Sequence, residues 1–507
     1  MSRVLRNARR HDGSIVDLLI EDGVVASLTP SAAPFGGRAQ NFASAREKGR
    51  RSSAEELDLD GRWVGPGLWD SHVHFGQWTL VSRRLDVSGA GSAAEAAALV
   101  RDELARHPPE AGAVLIGQGF RDGLWPDVPT PELLEFGDTP VVLVSGDVHC
   151  LWSNRAAVRM FDLPESAWLL REQKAFDLNV RLSAVPDGQL DAWAIEAAAT
   201  AASRGVVGVV DLEMSGAIAS WQRRFGAGFG GLRVRAGVYP DDLDGVVAAG
   251  IRTGEVVADT AGLLVGGPFK LFTDGSLNTR TAWCYDGYPG LSGPDAAGLA
   301  IHSADELLGL ARAALAQGFL PAIHAIGDRA TTLALDTFEA LGPLPGARGS
   351  RGSIEHAQLV IAADLPRFAA LGVRASVQPE HAMDDREVAD HYWAGRTARA
   401  FAYRALWEAG AELALGSDAP VAPLDPWVTI SAAVSRSRDG REPWHPEQAL
   451  PIEAAMRASW GGARELAAGS PADLVVTERD PVTASGEQLR TMPVFATMVA
   501  GEWSHRS

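Results

Sequence analysis

The sequence predicts an α/β protein whose largest part is a (β/α)8 barrel. Short apolar runs alternate with alanine-rich helical stretches through the middle of the chain, which favours strand–helix units and a parallel sheet. Eight of these runs look like barrel strands, and strand-like runs recur at both ends of the chain. We therefore predict a TIM-like barrel, a small β-sandwich built from both termini, and an α/β insertion after the first barrel strand.

The predicted barrel strands are apolar runs that end in polar or turn residues. They occupy residues 64–74, 205–213, 232–240, 268–276, 319–328, 352–359, 373–381 and 412–420. The gap after the first run is much longer than the later gaps, and it contains two further strand-like runs, at 113–120 and 139–149. We assign residues 65–76 and 201–455 to the barrel and residues 77–200 to the inserted subdomain.

The two ends of the chain share a pattern of short strands. Near the start, apolar runs are separated by Asp-Gly turn signals at 12–13 and 22–23, and near the end the runs ADLVV and PVFATMV resume the pattern. We assign residues 1–64 and 456–507 to the sandwich. Residues 31–58 are rich in Ser, Ala, Arg and Glu with little periodicity, and we predict a long exposed loop there.

Composition limits the class of protein. The chain has 507 residues, enough for a barrel of about 250 residues and smaller modules. Hydrophobic residues make up 46% and charged residues 22%, which excludes a disordered, collagen-like or disulfide-scaffold chain. The formal net charge is −18, and an acidic surface repels phosphate backbones, so we expect no nucleic-acid partner.

The cysteines and the start of the chain suggest a compartment. Cys150 and Cys284 are too few for a disulfide framework or a cysteine-rich zinc site. The basic start is not followed by an apolar segment, and no apolar run reaches about 18 residues, so we predict neither a secretory signal nor a membrane span. We expect a cytoplasmic protein without a membrane partner. For its assembly, we consider a homodimer as well as a monomer.

Side chains that can bind metal ions follow several of the predicted strands. His72 and His74 end the first strand, where alternate residues point the same way, so both imidazoles can hold one cation. The ordered set, spread over separate strands, is His72, His74, Lys270, His324, His356 and Asp418. Since the carboxyl ends of barrel strands share one face, these residues should converge. Imidazole and carboxylate ligands without thiolate suit Zn²⁺, with Mn²⁺, Fe²⁺ or Co²⁺ as alternatives.

Lysine is rare in this chain. The three lysines are Lys48, Lys174 and Lys270, and arginine supplies nearly all the positive charge, 43 of the 46 lysine and arginine residues. Lys270 lies in an apolar run, so its presence invites a chemical explanation. A salt bridge to Asp274 is the structural alternative.

Seven motifs in this order resemble those of the amidohydrolase superfamily of metal-dependent barrels. They are GPGLWDSHVHFG, FKLFTDGSLNTRTA, AIHAIGDRA, SIEHAQ, VQPEHAMDD, GSDAPVAPLDP and PADLVVTERDP, and they span nearly the whole chain. The chain is most similar to the branch that contains the N-substituted formamide deformylases and the exoenzyme-regulatory proteins. That branch carries a long insertion after the first strand, and RDGLWPDVPTPELL, TPVVLVSGDVHCLWSN and WLLRE resemble parts of it.

The resemblance implies roles for the ordered set. Two Zn²⁺ ions per chain are expected, the first bound by the H-x-H pair and the second by the histidines that follow the fifth and sixth strands. Asp418 would contact the first metal and move protons. Lys270 occupies the position where many relatives carry a carbamylated lysine that bridges the two metals, and a carbamate would make it an anionic ligand. Glu172, in WLLRE, is the reserve candidate for the bridge.

The resemblance also implies a reaction. We expect hydrolysis of a C–N bond of the amide or formamide type in a small molecule, by attack of metal-bound hydroxide with Asp418 as the proton shuttle. Two alternatives stay open. One is a mononuclear, deaminase-like member of the superfamily, and the other is a catalytically silent regulatory protein on the same scaffold.

The candidate substrate contacts lie in the insertion and after the seventh strand. Three tryptophans could form the wall of an apolar pocket or could simply pack the subdomain, and His149 could reach the substrate or be structural. Gln378 and His381 follow the seventh strand and are plausible contacts. The full set is Trp78, Trp125, His149, Trp152, Gln378 and His381.

Overall fold

The computed structural model describes most of the chain. The described residues are 2–31, 55–110, 112–120, 122, 125–146, 150–171, 173–342, 351–463 and 465–507. Most of the predicted loop at 31–58 lies outside them.

The strands of the described residues form three sheets. Numbered in chain order, they are β1 (Ser2–Arg9), β2 (Ile15–Glu21), β3 (Val24–Pro30), β4 (Glu55–Asp58), β5 (Trp63–Pro66), β6 (Leu68–Val73), β7 (Leu85–Asp86), β8 (Leu115–Phe120), β9 (Val141–Ser145), β10 (Cys150–Ser153), β11 (Leu169–Arg171), β12 (Val206–Asp211), β13 (Arg233–Val238), β14 (Leu264–Phe272), β15 (Pro321–Ala325), β16 (Ser353–His356), β17 (Arg374–Val377), β18 (Leu413–Leu415), β19 (Leu474–Thr477), β20 (Val494–Val499) and β21 (Glu502–Arg506).

Helices alternate with the strands of the middle region. They are α1 (Phe75–Val81), α2 (Ala93–Arg106), α3 (Arg155–Met160), α4 (Gln173–Ser183), α5 (Asp187–Ser203), α6 (Ala217–Gly226), α7 (Leu243–Ala248), α8 (Ala304–Ala316), α9 (Asp328–Ala340), α10 (Leu365–Leu371), α11 (His381–Asp384), α12 (Arg386–Tyr392), α13 (Tyr403–Glu408), α14 (Pro426–Ser435), α15 (Ile452–Ala458) and α16 (Gly486–Arg490). Short 3₁₀ turns lie at Pro131–Leu134, Pro240–Asp242, Thr397–Arg399 and Pro446–Gln448. Among the described helices, none combines the length and apolarity needed to cross a bilayer.

The barrel is an eight-stranded parallel sheet in the order β6, β12, β13, β14, β15, β16, β17, β18. A parallel bridge between Val73 and Ala419 brings the end of β18 back to the end of β6, so the sheet is nearly closed. Its strands are almost continuously buried because one side faces the barrel interior and the other faces helices. The predicted barrel and its eight strands are therefore confirmed.

The first predicted strand is in fact two strands that belong to different sheets. Trp63–Pro66 pairs antiparallel with β19 in the sheet of the termini, and Leu68–Val73 belongs to the barrel. Gly67 lies between them, where an added Cβ would be 2.2 Å from a methyl group of Val207. Only glycine allows the chain to pass this close to the second barrel strand.

Both ends of the chain contribute to one sheet, in the order β21, β20, β19, β5, β1, β2, β3, with β4 also paired to β1. This confirms the predicted module of both termini. Apolar side chains of β1, β2, β5, β19 and β20 share one buried cluster, so the sheet folds over its own core.

The predicted loop at 31–58 is wrong for its last four residues. Glu55–Asp58 forms β4, which pairs parallel with β1. The strand has no hydrophobic alternation, and it is instead lined by charge pairs such as Arg3 Nε with Glu55 Oε2 at 2.9 Å. A strand held by cross-strand charges does not show the apolar pattern by which we read the others.

Residues Gly76–Ala194 form a compact unit of their own. Its sheet has the order β11, β10, β9, β8, β7, parallel from β7 to β9 and antiparallel beyond. Alternate residues of β9 serve two separate apolar clusters, with Val141 and Leu143 in one and Val142 and Val144 in the other. The sheet is therefore covered on both faces within this unit.

Candidate active site

The end of β6 and the loop after β18 bring three predicted ligands together. The backbone N–H of Asp418 donates to the carbonyl of His72 at 2.7 Å, and that of His74 donates to the carbonyl of Ala419 at 2.9 Å. These two hydrogen bonds place the Asp418 carboxylate beside the rings of His72 and His74. Asp418 Oδ1 lies 3.3 Å from His72 Nε2 and 3.3 Å from His74 Nε2. The prediction that these side chains converge agrees with this geometry.

Asp70 links the end of β6 to the loop after β18. Its Oδ1 accepts the backbone N–H of His72 at 3.1 Å and that of Ser417 at 2.9 Å. Burial raises the pKa of Asp70 to about 7. Asp418 itself has a left-handed backbone, with φ of 58°, a conformation that costs free energy and concentrates at functional sites.

The strands β15 and β16 add two more imidazoles. The ring of His356 is 4.9 Å from that of His72 and 4.4 Å from that of His324, measured between centroids. Burial lowers the pKa of His324 to about 3 and that of His356 well below its ordinary value. Both rings are therefore neutral at physiological pH, the form in which histidine binds metals.

Lys270 lies within the barrel on β14 and is almost fully buried. Burial lowers the pKa of its amine, and the negative charges of Glu355 and Asp418 oppose this. Among the described residues it forms no ion pair. An amine with a lowered pKa and no bound carboxylate is the form that can react with CO₂ to give a carbamate.

The alternative salt bridge between Lys270 and Asp274 is not formed. The Asp274 carboxylate instead accepts the backbone N–H groups of Trp283 at 2.8 Å, Ile326 at 3.0 Å and Gly327 at 2.8 Å. These bonds tie the segment after β14 to the start of α9.

Glu355 belongs to the cluster, and the sequence analysis gave it no role. Its Oε2 lies 2.7 Å from His72 Nδ1. Burial works to raise the pKa of this carboxyl, but the hydrogen bond from His72 and the charge of Lys270 lower it to about 2. His356, the last residue of β16, has a left-handed φ of 75°.

Gln378 and His381 contact the cluster from the end of β17. Gln378 Oε1 lies 2.8 Å from His356 Nδ1, so this amide holds a predicted ligand. His381 Nε2 lies 4.0 Å from Asp418 Oδ2 and is buried without a hydrogen-bond partner among the described residues. On its other side, His381 Nδ1 is 3.4 Å from Gln358 Nε2, a contact that the sequence analysis did not anticipate.

The predicted contacts in the insertion have different surroundings. Trp125 and Trp152 belong to an apolar cluster of that unit, and their Nε1–H groups donate to the carbonyls of Ala90 at 3.1 Å and Thr130 at 3.0 Å. Trp78 is half-buried in the same unit. His149 and Glu172 lie outside the described residues.

The cluster has the chemistry of a cation site. His72, His356 and Asp418 each offer one ligand atom, and these atoms lie within 4.8 Å of one another. Burial lowers the pKa of His72, which favours the neutral ring, and a proton on Nδ1 toward Glu355 would leave the Nε2 lone pair facing the Asp418 carboxylate. Two lone pairs at 3.3 Å repel unless a cation lies near both. The residues present therefore fit a divalent metal.

A parallel eight-stranded barrel with a buried histidine and aspartate cluster at the carboxyl ends of its strands is the arrangement of a metal-dependent hydrolase. The chain belongs to the amidohydrolase family, whose family model matches residues 55–505. The predicted resemblance to this superfamily, and to its branch with the N-substituted formamide deformylases, is confirmed.

Relatives and solved structures agree with this assignment. The chain is 28% identical to Protein LONG AFTER FAR-RED 3 of Arabidopsis thaliana over 84% of this chain and 79% of the relative. It is 25% identical to the N-substituted formamide deformylase of Arthrobacter pascens over 88% of this chain and 89% of that enzyme. An uncharacterized metal-dependent hydrolase from Pyrococcus horikoshii has a similar structure, with a TM-score of 0.77 and 25% identity over 96% of this chain and 99% of that one.

Proposed function

We propose that this protein hydrolyses a C–N bond of the amide or formamide type in a small molecule. The observation that carries the proposal is the position of Asp418, whose carboxylate lies 3.3 Å from the Nε2 atoms of the buried His72 and the half-buried His74 at the carboxyl end of the barrel. The similarity to an N-substituted formamide deformylase along most of both chains supports this bond type.

Two divalent metal ions, most simply Zn²⁺, would be held by this chain. His72, His74 and Asp418 would bind one ion, His324 and His356 would bind the other, and a carbamate on Lys270 would bridge them. When bound, such ions polarise a carbonyl and lower the pKa of water to about 7. The low pKa values of the buried imidazoles keep their lone pairs available for this purpose.

Asp418 would carry the proton. Its carboxylate accepts the proton of the attacking water as the C–O bond forms, and returns it to the nitrogen as the C–N bond breaks. Burial acts to raise the pKa of Asp418, but the surrounding histidines, among them His74 through a hydrogen bond, hold it well below its ordinary value. The carboxylate is therefore ionised and ready to accept before each turnover.

His381 would orient the substrate. If Nδ1 accepts a hydrogen bond from the Gln358 amide, Nε2 carries the proton, and this group is the one that lies free 4.0 Å from Asp418. A buried donor in that position can bind the carbonyl oxygen on which charge develops during attack.

A mononuclear site is the second candidate. It is favoured by the group of His72, His356 and Asp418, which gives three ligand atoms for a single ion. One bound ion per chain together with hydrolytic release of ammonia from an amino-substituted ring would support this alternative.

The proposal is tested with a panel of N-substituted formamides, simple amides, esters and lactones. Release of formate and amine in equal amounts, abolished by a chelator and restored by Zn²⁺, is the expected result. Turnover that is indifferent to chelation, or confined to the esters and lactones, would contradict the proposal. Lack of turnover on any member, with metal bound, would favour a catalytically silent protein.

A further inference from the structure

A chain of contacts runs outward from the candidate metal site through His72. Asp418 Oδ1 lies 3.3 Å from His72 Nε2, and Glu355 Oε2 lies 2.7 Å from His72 Nδ1 on the other side of the ring. The second oxygen of Glu355 accepts the hydroxyl of Ser353 from the same strand. His72 and Glu355 are each exposed by no more than 2%, so water does not compete for these bonds.

Among the predicted histidine ligands, His72 has the shortest contact with a carboxylate, 2.7 Å to Glu355, whereas His324 Nε2 is 3.4 Å from Asp274. A carboxylate accepts the outer N–H of His72, and a carboxylate is a stronger acceptor than an amide or a carbonyl. Gln378 Oε1 lies 2.8 Å from His356 Nδ1, and His74 Nδ1 has no partner among the described residues. His324 Nε2 lies 3.1 Å from the Gly275 carbonyl and 3.4 Å from Asp274 Oδ1, an oxygen that already accepts the backbone N–H of Ile326.

The carboxylate has two consequences for the ring. An ionised Glu355 can only accept, so the proton stays on His72 Nδ1 and Nε2 keeps its lone pair toward the cluster. The negative charge behind the ring also makes Nε2 a better donor to a cation. The Glu355 carboxylate is buried, with Oε2 facing His72 Nδ1 and Oε1 accepting the hydroxyl of Ser353. A divalent ion at Nε2 would compensate that charge.

We propose that Glu355 is a positioning residue that fixes the tautomer of His72 and thereby sets the affinity of the barrel for its divalent metal. This inference rests on the metal site of the proposed function. It adds a residue that makes no contact with the ion and that acts only through His72.

Two substitutions separate the effect of the Glu355 charge from that of its contact with His72. Glu355→Gln keeps the length and an acceptor oxygen but removes the charge, and Glu355→Asp keeps the charge but withdraws it by one methylene. The matched control is Glu412→Gln, the same change at the foot of β18, where the side chain is exposed and pairs with Arg374. The measurement is the dissociation constant for Zn²⁺ of the chelator-treated full chain, by competition with a chromophoric chelator.

We expect both Glu355 variants to bind Zn²⁺ between about 10-fold and about 100-fold more weakly than the wild type, and the control to bind within twofold. The Co²⁺-loaded Glu355 variants should also have a shifted visible absorption spectrum, because the donor strength of one ligand has changed. Equal affinity and identical spectra in all four proteins would overturn the role of Glu355. A wild-type chain that binds no metal would overturn the proposed function and this inference together.

A measurement on the wild type covers the case in which a variant does not fold. Long-range ¹H–¹⁵N spectra of histidine-labelled protein report which ring nitrogen of each histidine carries the proton. His356 Nδ1 also faces an acceptor, Gln378 Oε1, so His72 is identified by the more strongly deshielded Nδ1 proton that a carboxylate acceptor gives. We expect the Nε2 of the ring with that proton to shift when Zn²⁺ is added. A shift on Nδ1 in place of Nε2 would contradict the proposal.

Discussion

The barrel cluster and the inserted unit both contain residues that the sequence singles out, but their environments differ. In the barrel, the candidate ligands stand at strand ends where backbone hydrogen bonds fix their neighbours, as between Asp418 and His72. In the inserted unit, Trp125 and Trp152 belong to an apolar cluster and satisfy their N–H groups on local carbonyls. Among the described residues, His74 Nδ1 and His381 Nε2 in the barrel are buried without a hydrogen-bond partner, whereas both indoles find an acceptor within their own unit. Residue type alone therefore does not distinguish a candidate site residue from one that packs a core.

The largest effect is expected at Asp418. Asp418→Asn keeps the shape and the tolerance for a left-handed backbone but cannot accept the proton, so turnover should fall by about 10² to 10⁴. Metal content should fall much less. The matched control is Asp439→Asn, since Asp439 has the same φ of 58° and its side chain is exposed. A fully active Asp418→Asn enzyme would refute the role of the carboxylate.

The packing of the insertion gives the next effect. Trp152→Phe removes the indole N–H that donates to Thr130 and leaves space in the cluster, so we expect a loss of about 1 to 3 kcal/mol in stability. KM should stay within twofold. Chemical denaturation and steady-state kinetics measure the two quantities, with Trp407→Phe on an exposed helix position as control. A raised KM with unchanged stability would instead make Trp152 a substrate contact.

A pH effect of intermediate size is expected at Asp211, a buried barrel residue outside the cluster. Its carboxylate accepts the indole N–H of Trp221 at 2.7 Å and the backbone N–H of Phe75 at 3.0 Å. Burial, and then the charge of Glu213, raises the pKa of this carboxyl. The folded state therefore binds the proton more tightly than the unfolded chain, and wild-type stability falls as pH rises from about 4 through the raised pKa.

Asp211→Asn has no such titration. The variant should be less stable than the wild type by about 1 to 2 kcal/mol near pH 5, because the bond from Trp221 is lost. That difference should narrow toward about pH 8. Melting temperatures of both proteins across this range measure it. A difference that widens with pH would mean that the carboxylate is stabilised as an anion and that its pKa is not raised.

The smallest effect is expected at the charged strand of the terminal sheet. Glu55 pairs with Arg3 at 2.9 Å and with Arg506 at 3.1 Å, and its side chain is 44% exposed. Water and salt screen such pairs, so Glu55→Gln should cost less than about 1 kcal/mol, and the cost should vanish near 1 M salt. A larger, salt-independent cost measured by denaturant titration would show that β4 depends on this residue for more than its charge.

The sequence was sufficient to predict the barrel, because parallel strands are buried on both faces and appear as apolar runs with polar ends. It was sufficient for the convergence of His72, His74 and Asp418 because the closure of a barrel brings its first and last strands together. Their roles as ligands, and those of Lys270 and His324, stay predictions.

The sequence could not identify residues whose contacts depend on local backbone geometry. Glu355 lies in the same run as His356, but nothing in the sequence shows that its carboxylate reaches His72, which lies on a strand distant along the chain. Gln358 has no periodic signal, and its contact with His381 depends on how two loops meet. In the insertion, aromatic residues suit a pocket wall and a packed core equally well, so composition could not decide between them.

The most direct test of the central claim is the metal content per chain, measured by inductively coupled plasma mass spectrometry on protein purified without a chelator. The account predicts about two equivalents of a divalent metal, most simply zinc, bridged through Lys270. About one equivalent would favour the mononuclear site of His72, His356 and Asp418. No metal, even after Zn²⁺ and bicarbonate are supplied, would contradict the account.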